Sequence, residues 1–425
     1  MHPLKKLYCR SFQLVFKLAL PLLPYREPTP LDSVSAIPPI LQKRRIGSVL
    51  LVTDRPVRAL GLTQPLEQAL AEAGIRCAVY DAVVPNPTIQ NVEEARQCYL
   101  AAGAQAILAL GGGSVMDCAK GVGARIARPH KPVRRMRGLL KVLLPTPLTI
   151  AIPTTAGTGS EATLAAVITD PEVRHKYPIN DFALIPDYAV LDPALTLGLP
   201  PFITATTGMD ALTHAVEAYI GGTTTRLTRR MAEEAARLIV EYLPRAYADG
   251  GDLAARRAML RAAYCAGVAF TRSYVGYVHG VAHSLGGQYG VPHGLANAVI
   301  LPYFLEEYGP ACWKRLARLA RAAGLCGAQQ TDEQAARAFT RWIREANRSM
   351  GIPESIPEIQ PADIPQMARH ADAESNPLYP VPRLMDRAEL EAVYRKLMPK
   401  EAARWRSRSL SKPSAPIFAP AQHSA

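Results

Sequence analysis

Paired cysteines are missing from this chain of 425 residues: the seven present stand singly at 9, 77, 98, 118, 265, 312 and 326, with no CxxC spacing. That excludes a disulfide framework and a zinc ribbon. Also missing is an unbroken apolar run of the roughly 20 residues that a bilayer span requires. The apolar stretch near the N-terminus, SFQLVFKLALPLLP (11–24), is interrupted by Lys17 and Pro21. It has neither the clean apolar core nor the small-residue cleavage site of a signal peptide, so the cytoplasm is the expected compartment. Lys5, Lys6 and Arg10 flank it and would suit a membrane surface. Packing on the protein body, without membrane contact, is nevertheless the expectation.

Acidic charge is short in three places only. The chain carries a net charge of +13, which taken alone points toward nucleic acid or an anionic membrane. Residues 1–45 hold eight basic and two acidic side chains, residues 400–425 five and one, and KPVRRMRGLLK (131–141) five and none. The remainder is close to neutral, so a nucleic-acid partner is not expected. With 48% hydrophobic residues, the chain can bury a large core, and its length suits two domains.

The two halves differ in pattern. From about Ile46 to Asp192, short apolar runs recur between Gly and Pro: VLLVTD, IRCAVY, AQAILAL, LTIAIPTT, TLAAVITD and YAVLD. Helical patterns such as PLEQALAEAG and TIQNVEEARQCYLAAG lie between the first of them, the alternation of a mostly parallel sheet. From about Pro201 the strand signals stop, and amphipathic stretches such as RRMAEEAARLIVEYLPRAY and LAARRAMLRAAYCAGVAF follow one another. This predicts an α/β half followed by an all-helical half. The basic stretch 131–141 is expected as a loop, and the Ser-, Pro- and Ala-rich end as disordered.

The common dinucleotide fingerprint G-x-G-x-x-G is absent, but GGGSVMDCAK (111–120) follows the apolar run AQAILAL and leads into a helical pattern. Strand, glycine turn and helix let backbone N–H groups approach a pyrophosphate at the positive end of a helix dipole. A tight turn with no ligand fits the same residues. Ser114 and Asp117 are suited to cap and charge the helix start. IPTTAGTGSE adds a second small-residue loop with the hydroxyls of Thr154, Thr155 and Thr158.

In the helical half, His279, His283 and His293 fall within HGVAHSLGGQYGVPH, and Asp210 and His214 stand four apart in DALTH. Residues four apart on a helix share one face. Neutral imidazoles with a carboxylate suit borderline divalent ions such as Fe²⁺ or Zn²⁺. Capped or core-satisfied histidines are the alternative.

Together, GGGSVMDCAK, IPTTAGTGSEAT, GMDALTHAVEAY and HGVAHSLGGQYGVPHGLANAVILP resemble the signature segments of the iron-containing (group III) alcohol dehydrogenases. The likeness runs from about residue 46 to 398. It implies an α/β dinucleotide-binding domain with a mostly parallel sheet at 46–200, and an all-helical metal and substrate domain at 201–399. Residues 1–45 become an N-terminal extension and 400–425 a tail. By position, the metal ligands fall on Asp210, His214, His279 and His293, with Fe²⁺ expected and Zn²⁺ possible. The cofactor residues fall on Asp54, Asn86, Gly112, Gly113, Ser114, Asp117, Thr154, Thr155, Thr158 and Lys176.

Asp54 closes the strand VLLVTD, where a carboxylate accepts from ribose hydroxyls and repels a 2′-phosphate, so NAD is expected over NADP. A helix N-cap is the other role open to it. The implied reaction moves a hydride between an alcohol and NAD, with the reverse reducing an aldehyde or ketone, and His283 is placed to relay the alcohol proton. A homodimer is implied as well. A glycerol-type polyol dehydrogenase is the nearest alternative and a dehydroquinate-synthase-like lyase a more distant one. TRSYVGY, before His279, departs from the family pattern, and Tyr274 and Tyr277 are expected to alter the substrate pocket.

Overall fold

The computed structural model describes residues 1–172 and 175–399; the tail expected to be disordered, 400–425, lies outside the described residues. Nine strands form in chain order: β1 (Thr29–Leu31), β2 (Ser48–Val52), β3 (Arg76–Tyr80), β4 (Ala106–Gly111), β5 (Gly138–Leu139), β6 (Leu148–Pro153), β7 (Ala165–Asp170), β8 (His175–Asn180) and β9 (Tyr188–Val190). Six of them make a sheet of order β1-β9-β6-β4-β2-β3 in which every pairing is parallel. Among them lie α2 (Ile37–Lys43), α3 (Arg55–Ala59), α4 (Gln64–Glu72), α5 (Ile89–Ala101) and α6 (Gly113–Ala127), preceded by α1 (Pro3–Ala19).

Parallel strands covered by helices on both faces lose the polar alternation of exposed sheets. SVLLV of β2 is buried at every position. Its alternate residues part to the two faces: Leu50 and Val52 join Val92, Ala95, Val115 and Ala119 of α5 and α6. Val49 and Leu51 join Ile37, Leu41, Leu66 and Leu70 of α2 and α4 on the other face.

Three segments differ from expectation. TLAAVITD does form a strand, β7, but it pairs antiparallel with β8 in a separate three-stranded sheet of order β5-β8-β7. β8, HKYPIN, carries a proline and two cationic types and has no apolar run to reveal it. The basic stretch 131–141 supplies β5 and buries Val133 and Met136, while Arg134 grips Asp170 through 2.5 and 2.9 Å hydrogen bonds. Within residues 1–45, β1 joins the edge of the main sheet through β9.

The rest is helical: α7 (Pro201–Ile220), α8 (Arg226–Ala248), α9 (Leu253–Ser273), α10 (Tyr277–Tyr289), α11 (His293–Tyr308), α12 (Pro310–Ala322), α13 (Asp332–Ser349), α14 (Ile364–Ser375) and α15 (Arg387–Leu397). Among the described residues, no strand occurs after β9. These helices share one apolar cluster.

The α/β half meets this bundle where the loop after β6 presses on α9. Gly159 has φ +61°, and a Cβ there would stand 2.7 Å from the Gly267 Cα; a Cβ on Gly267 would stand 2.6 Å from the Gly159 carbonyl. The backbones touch without side chains between them, and Leu164 N–H donates to Thr271 Oγ1 at 3.0 Å. Gly267→Ala must therefore part loop from helix. The expected cost is about 2 kcal/mol or more in denaturant unfolding, whereas Gly→Ala at an uncrowded helical position gains up to about 1 kcal/mol. Unchanged stability would show that the contact is not a constraint.

Candidate active site

The main sheet changes direction between β2 and β4: β3 is added on one side of β2, and β4, β6 and β9 follow on the other. In open α/β sheets, ligands bind beyond the carboxyl ends of the strands at such a switch point. Asp54 and the glycine turn 111–113 stand at those two ends.

Gly112 is the N-cap residue of α6, and no side chain caps the first turn. The expected capping by Ser114 is not made, because Ser114 Oγ instead accepts from Asn86 N–H at 3.2 Å. Asp117 sits beyond the first turn and accepts from Ser160 Oγ (2.9 Å) and Val167 N–H (3.1 Å). The uncapped amides of a 15-residue helix are a fitting cradle for pyrophosphate. Asn86, itself at φ +59°, accepts from Lys176 Nζ at 2.8 Å. Asn86, Ser114 and Lys176 thus converge from three elements.

The threonine loop lies against the glycine turn. Thr154 N–H donates to the Gly111 carbonyl at 3.0 Å, and a Cβ on Gly113 would stand 2.8 Å from Thr158 Cγ2. Thr155 flanks Gly112. Behind the loop lies Lys120, which the sequence reading passed over. Its ammonium donates to the carbonyls of Ser160, Thr163 and Ala165 and to the hydroxyls of Ser160 and Thr163, all at 2.6–3.0 Å. Burial pushes it down to about 8, with Asp117 and Glu161 opposing. Asp54 caps α3, its Oδ1 accepting from Val57 N–H at 2.8 Å. Capping occupies one oxygen and leaves the carboxylate at the end of β2.

The four expected metal ligands meet. One ligand atom each from Asp210 and His214 (α7), His279 (α10) and His293 (α11) lies within 4.8 Å of the others. His293 Nε2 stands 3.7 Å from Asp210 Oδ1. The His214 ring stacks on Phe270 at 4.3 Å and 15°, and its Nδ1 is buried without a hydrogen-bond partner among the described residues. Burial holds His279 and His293 well below the usual imidazole range, and neighbouring imidazoles add to the effect. His214 is lowered by burial too. Neutral rings beside a carboxylate are the donor set that a borderline divalent ion takes, so the residues fit a metal.

Three further residues complete the site. Glu217 accepts from His279 Nδ1 at 2.6 Å and from the amides of Gly276 and Val278 at 2.8 and 2.9 Å. Burial pushes its carboxyl up to about 8, while the backbone amides of Gly276, Val278 and His279 favour its charged form. With Glu217 ionised, the contact favours Nδ1 as the protonated nitrogen of His279 and leaves Nε2 as the lone-pair atom. Asn297 Nδ2 lies 2.6 Å from Asp210 Oδ1, 3.1 Å from His293 Nε2 and 3.2 Å from His279 Nε2. Two N–H groups cannot satisfy three acceptors, which is a further sign that these atoms suit a cation.

His283 stacks on His293 at 5.2 Å, outside the four-residue cluster, and its Nδ1 meets Glu374 Oε1 at 2.6 Å. Tyr379 OH donates to the same oxygen at 2.7 Å. Helical spacing reveals Glu217, seven residues after Asp210, and Asn297, four after His293. Glu374, 91 positions from His283, has no such signal.

Tyr277 does not border the site. Its ring is fully buried, and its hydroxyl donates to Asn376 and accepts from Met385 N–H. Tyr274 lies edge-on to Phe16 of α1 at 5.1 Å.

A family model for iron-containing alcohol dehydrogenase matches residues 31–193, and a model for the C-terminal part of the Fe-containing alcohol dehydrogenase family matches 204–398. The chain is 39% identical over 355 residues to 1,3-propanediol dehydrogenase of Klebsiella pneumoniae, covering 81% of this chain and 90% of that one. A solved 1,3-propanediol oxidoreductase superposes with TM-score 0.84 at 34% identity, over 88% of this chain and 99% of its own. Sulfoacetaldehyde reductase from Bifidobacterium kashiwanohense, in complex with NAD+, gives 0.78 at 27%, over 88% and 98%.

Glu217→Gln keeps the shape of the side chain but replaces the carboxyl group that orients His279. Metal affinity, titrated on the apoprotein, is expected to fall 10- to 100-fold, with NADH binding unchanged. Equal affinity in both proteins would make Glu217 a packing residue only.

Proposed function

The chain belongs to the iron-containing alcohol dehydrogenase family, and from that premise we propose that it transfers a hydride between a small alcohol and NAD, in the reverse direction reducing an aldehyde or ketone, at the junction of its two halves. The cluster of Asp210, His214, His279 and His293 within 4.8 Å carries the reading. These four would hold Fe²⁺, with Zn²⁺ compatible with the same donors. When bound, the metal supplies Lewis acidity toward the alcohol oxygen and the nicotinamide supplies a hydride acceptor.

The chain's own groups do the rest. The uncapped amides at Gly112, Gly113 and Ser114 would hold the pyrophosphate, with Asn86, Thr155, Thr158 and Lys176 available around it. Thr154 and Asp117 shape this cradle by tying the two loops together. Asp54 accepts from the ribose and disfavours a 2′-phosphate, which supports NAD. His283 takes the alcohol proton and returns it to solvent along Glu374, whose side chain is 32% exposed. Tyr379 fixes the carboxylate on that path.

The free state of all seven cysteines supports a reducing, cytoplasmic compartment. Among the described residues, no helix is long and apolar enough to cross a membrane.

Two sets of variants test these roles. Asp210→Ala, His214→Ala, His279→Ala and His293→Ala are each expected to lose metal by elemental analysis and most alcohol oxidation while still binding NADH. His283→Ala should keep its metal and lose about 100-fold in turnover, the scale of a general acid–base group. Stoichiometric metal and near-normal rates in the first four would overturn the site. Metal loss in His283→Ala alone would make it a ligand. Separately, Asp54→Gly removes the repulsion of a 2′-phosphate, worth about 1 to 2 kcal/mol at a partly exposed site, so NADP⁺ use relative to NAD⁺ should rise about ten- to thirtyfold. The lost cap adds only a few tenths of a kcal/mol. A constant ratio of the two cofactors would remove the assignment.

A further inference from the structure

Helix α1 sits on the protein the wrong way round for a helix held by apolar burial. The side turned to the body holds Cys9 and Phe16 against the bundle but is otherwise polar: Arg10 donates to the carbonyls of Val381 and Pro382 at 2.9 and 3.0 Å. Gln13 donates to those of Tyr379 and Pro377 at 2.8 and 3.2 Å, and Lys5 pairs with Asp372 at 2.8 Å. Only Cys9 and Gln13 of this helix are buried. The opposite side is apolar and open: Leu4, Leu7, Tyr8, Leu14, Val15 and Leu18 are 56–70% exposed. At 100° per residue these six fall on one continuous arc.

Cations mark the borders of the arc. Lys6 and Lys17 flank it along one edge at helical spacing, with Arg10 between them held by the Val381 and Pro382 carbonyls, while Lys5 on the other edge is paired with Asp372. No Asp or Glu occurs before Glu27. Lys6 and Lys17 make no ion pair among the described residues, unlike Lys5. An apolar stripe edged with ammonium groups is the pattern of a helix lying in the plane of a bilayer surface, its side chains among the acyl boundary and its cations at headgroup level.

The geometry points to α1 as a peripheral docking surface for an anionic lipid bilayer. The charge pattern favours this occupant over a second copy of the chain. Two α1 faces brought together would set the unpaired ammonium groups of Lys6 and Lys17 near those of the other copy with no carboxylate on either helix to answer them, whereas anionic headgroups neutralise them. The helix lies on the bilayer and does not cross it, consistent with the absence of any spanning helix among the described residues. The expectation that the segment packs on the body holds for its polar side; the apolar side makes the membrane contact that the sequence reading set aside.

The test is co-sedimentation of the full-length protein at 0.15 M salt with vesicles of phosphatidylcholine and phosphatidylglycerol (3:1), and with phosphatidylcholine alone. Most of the protein is expected to pellet with the anionic vesicles and little with the zwitterionic ones. Lys6→Gln with Lys17→Gln removes two cations and should weaken partitioning about thirtyfold. Leu7→Ser, Leu14→Ser and Leu18→Ser together should abolish pelleting. All five positions are exposed and none touches the active site, so alcohol oxidation in solution should stay unchanged. Absence of pelleting by the unaltered protein, or pelleting that survives the triple serine change, would overturn the proposal. So would a drop in oligomer mass by sedimentation velocity in the triple variant, because it would assign the face to a second copy.

Discussion

Asp210, His214 and Glu217 stand on one face of α7, and each is at most 4% exposed. Ionisable groups removed from water must be answered by partners or lose their charge, and the surrounding helices are arranged to supply those answers. α10 brings His279 onto Glu217, α11 brings His293 and Asn297 onto Asp210, and α9 lays Phe270 flat against His214. The demand is not fully met by protein alone. Asn297 Nδ2 is shared among three acceptors, and His214 Nδ1 has none. Buried imidazoles and a carboxylate gathered in this way are a donor set that suits a divalent cation.

The same economy governs the link between the halves. Lys176, reaching in from β8, lies close enough to His293 to disfavour its protonation and donates to Asn86 beside the glycine turn. The contact of Gly159 with Gly267 sets how closely the two halves can approach, since any side chain at either position would hold them apart.

Features governed by local periodicity were open to reading. The buried runs of β2, β4 and β6 and the helical spacing of Asp210 with His214, or His279 with His283, follow from the geometry of one element at a time. What escaped depends on other elements. β8 was hidden because its proline and polar residues gain their place from β5 and β7 on either side. Lys120 has no local signal on α6, because its ammonium gains its partners from the loop after β6. Tyr277 stands two residues before His279, a spacing that on α10 turns its side chain away from that ligand and into the bundle. Asp54 had two roles open to it, and the capping role is visible in the fold while the other depends on a dinucleotide.

The five oxygens around the Lys120 ammonium bear on how quickly and with what thermodynamic signature a dinucleotide can be taken up. Holding a backbone residue in one conformation costs about 1 to 2 kcal/mol in entropy. For residues 160–165 that cost is incurred when the chain folds, not when the cofactor arrives. Association then needs no slow ordering step in this loop. Selectivity between dinucleotides rests on the fixed shape of the cradle, with little room for the loop to mould itself around a poor fit.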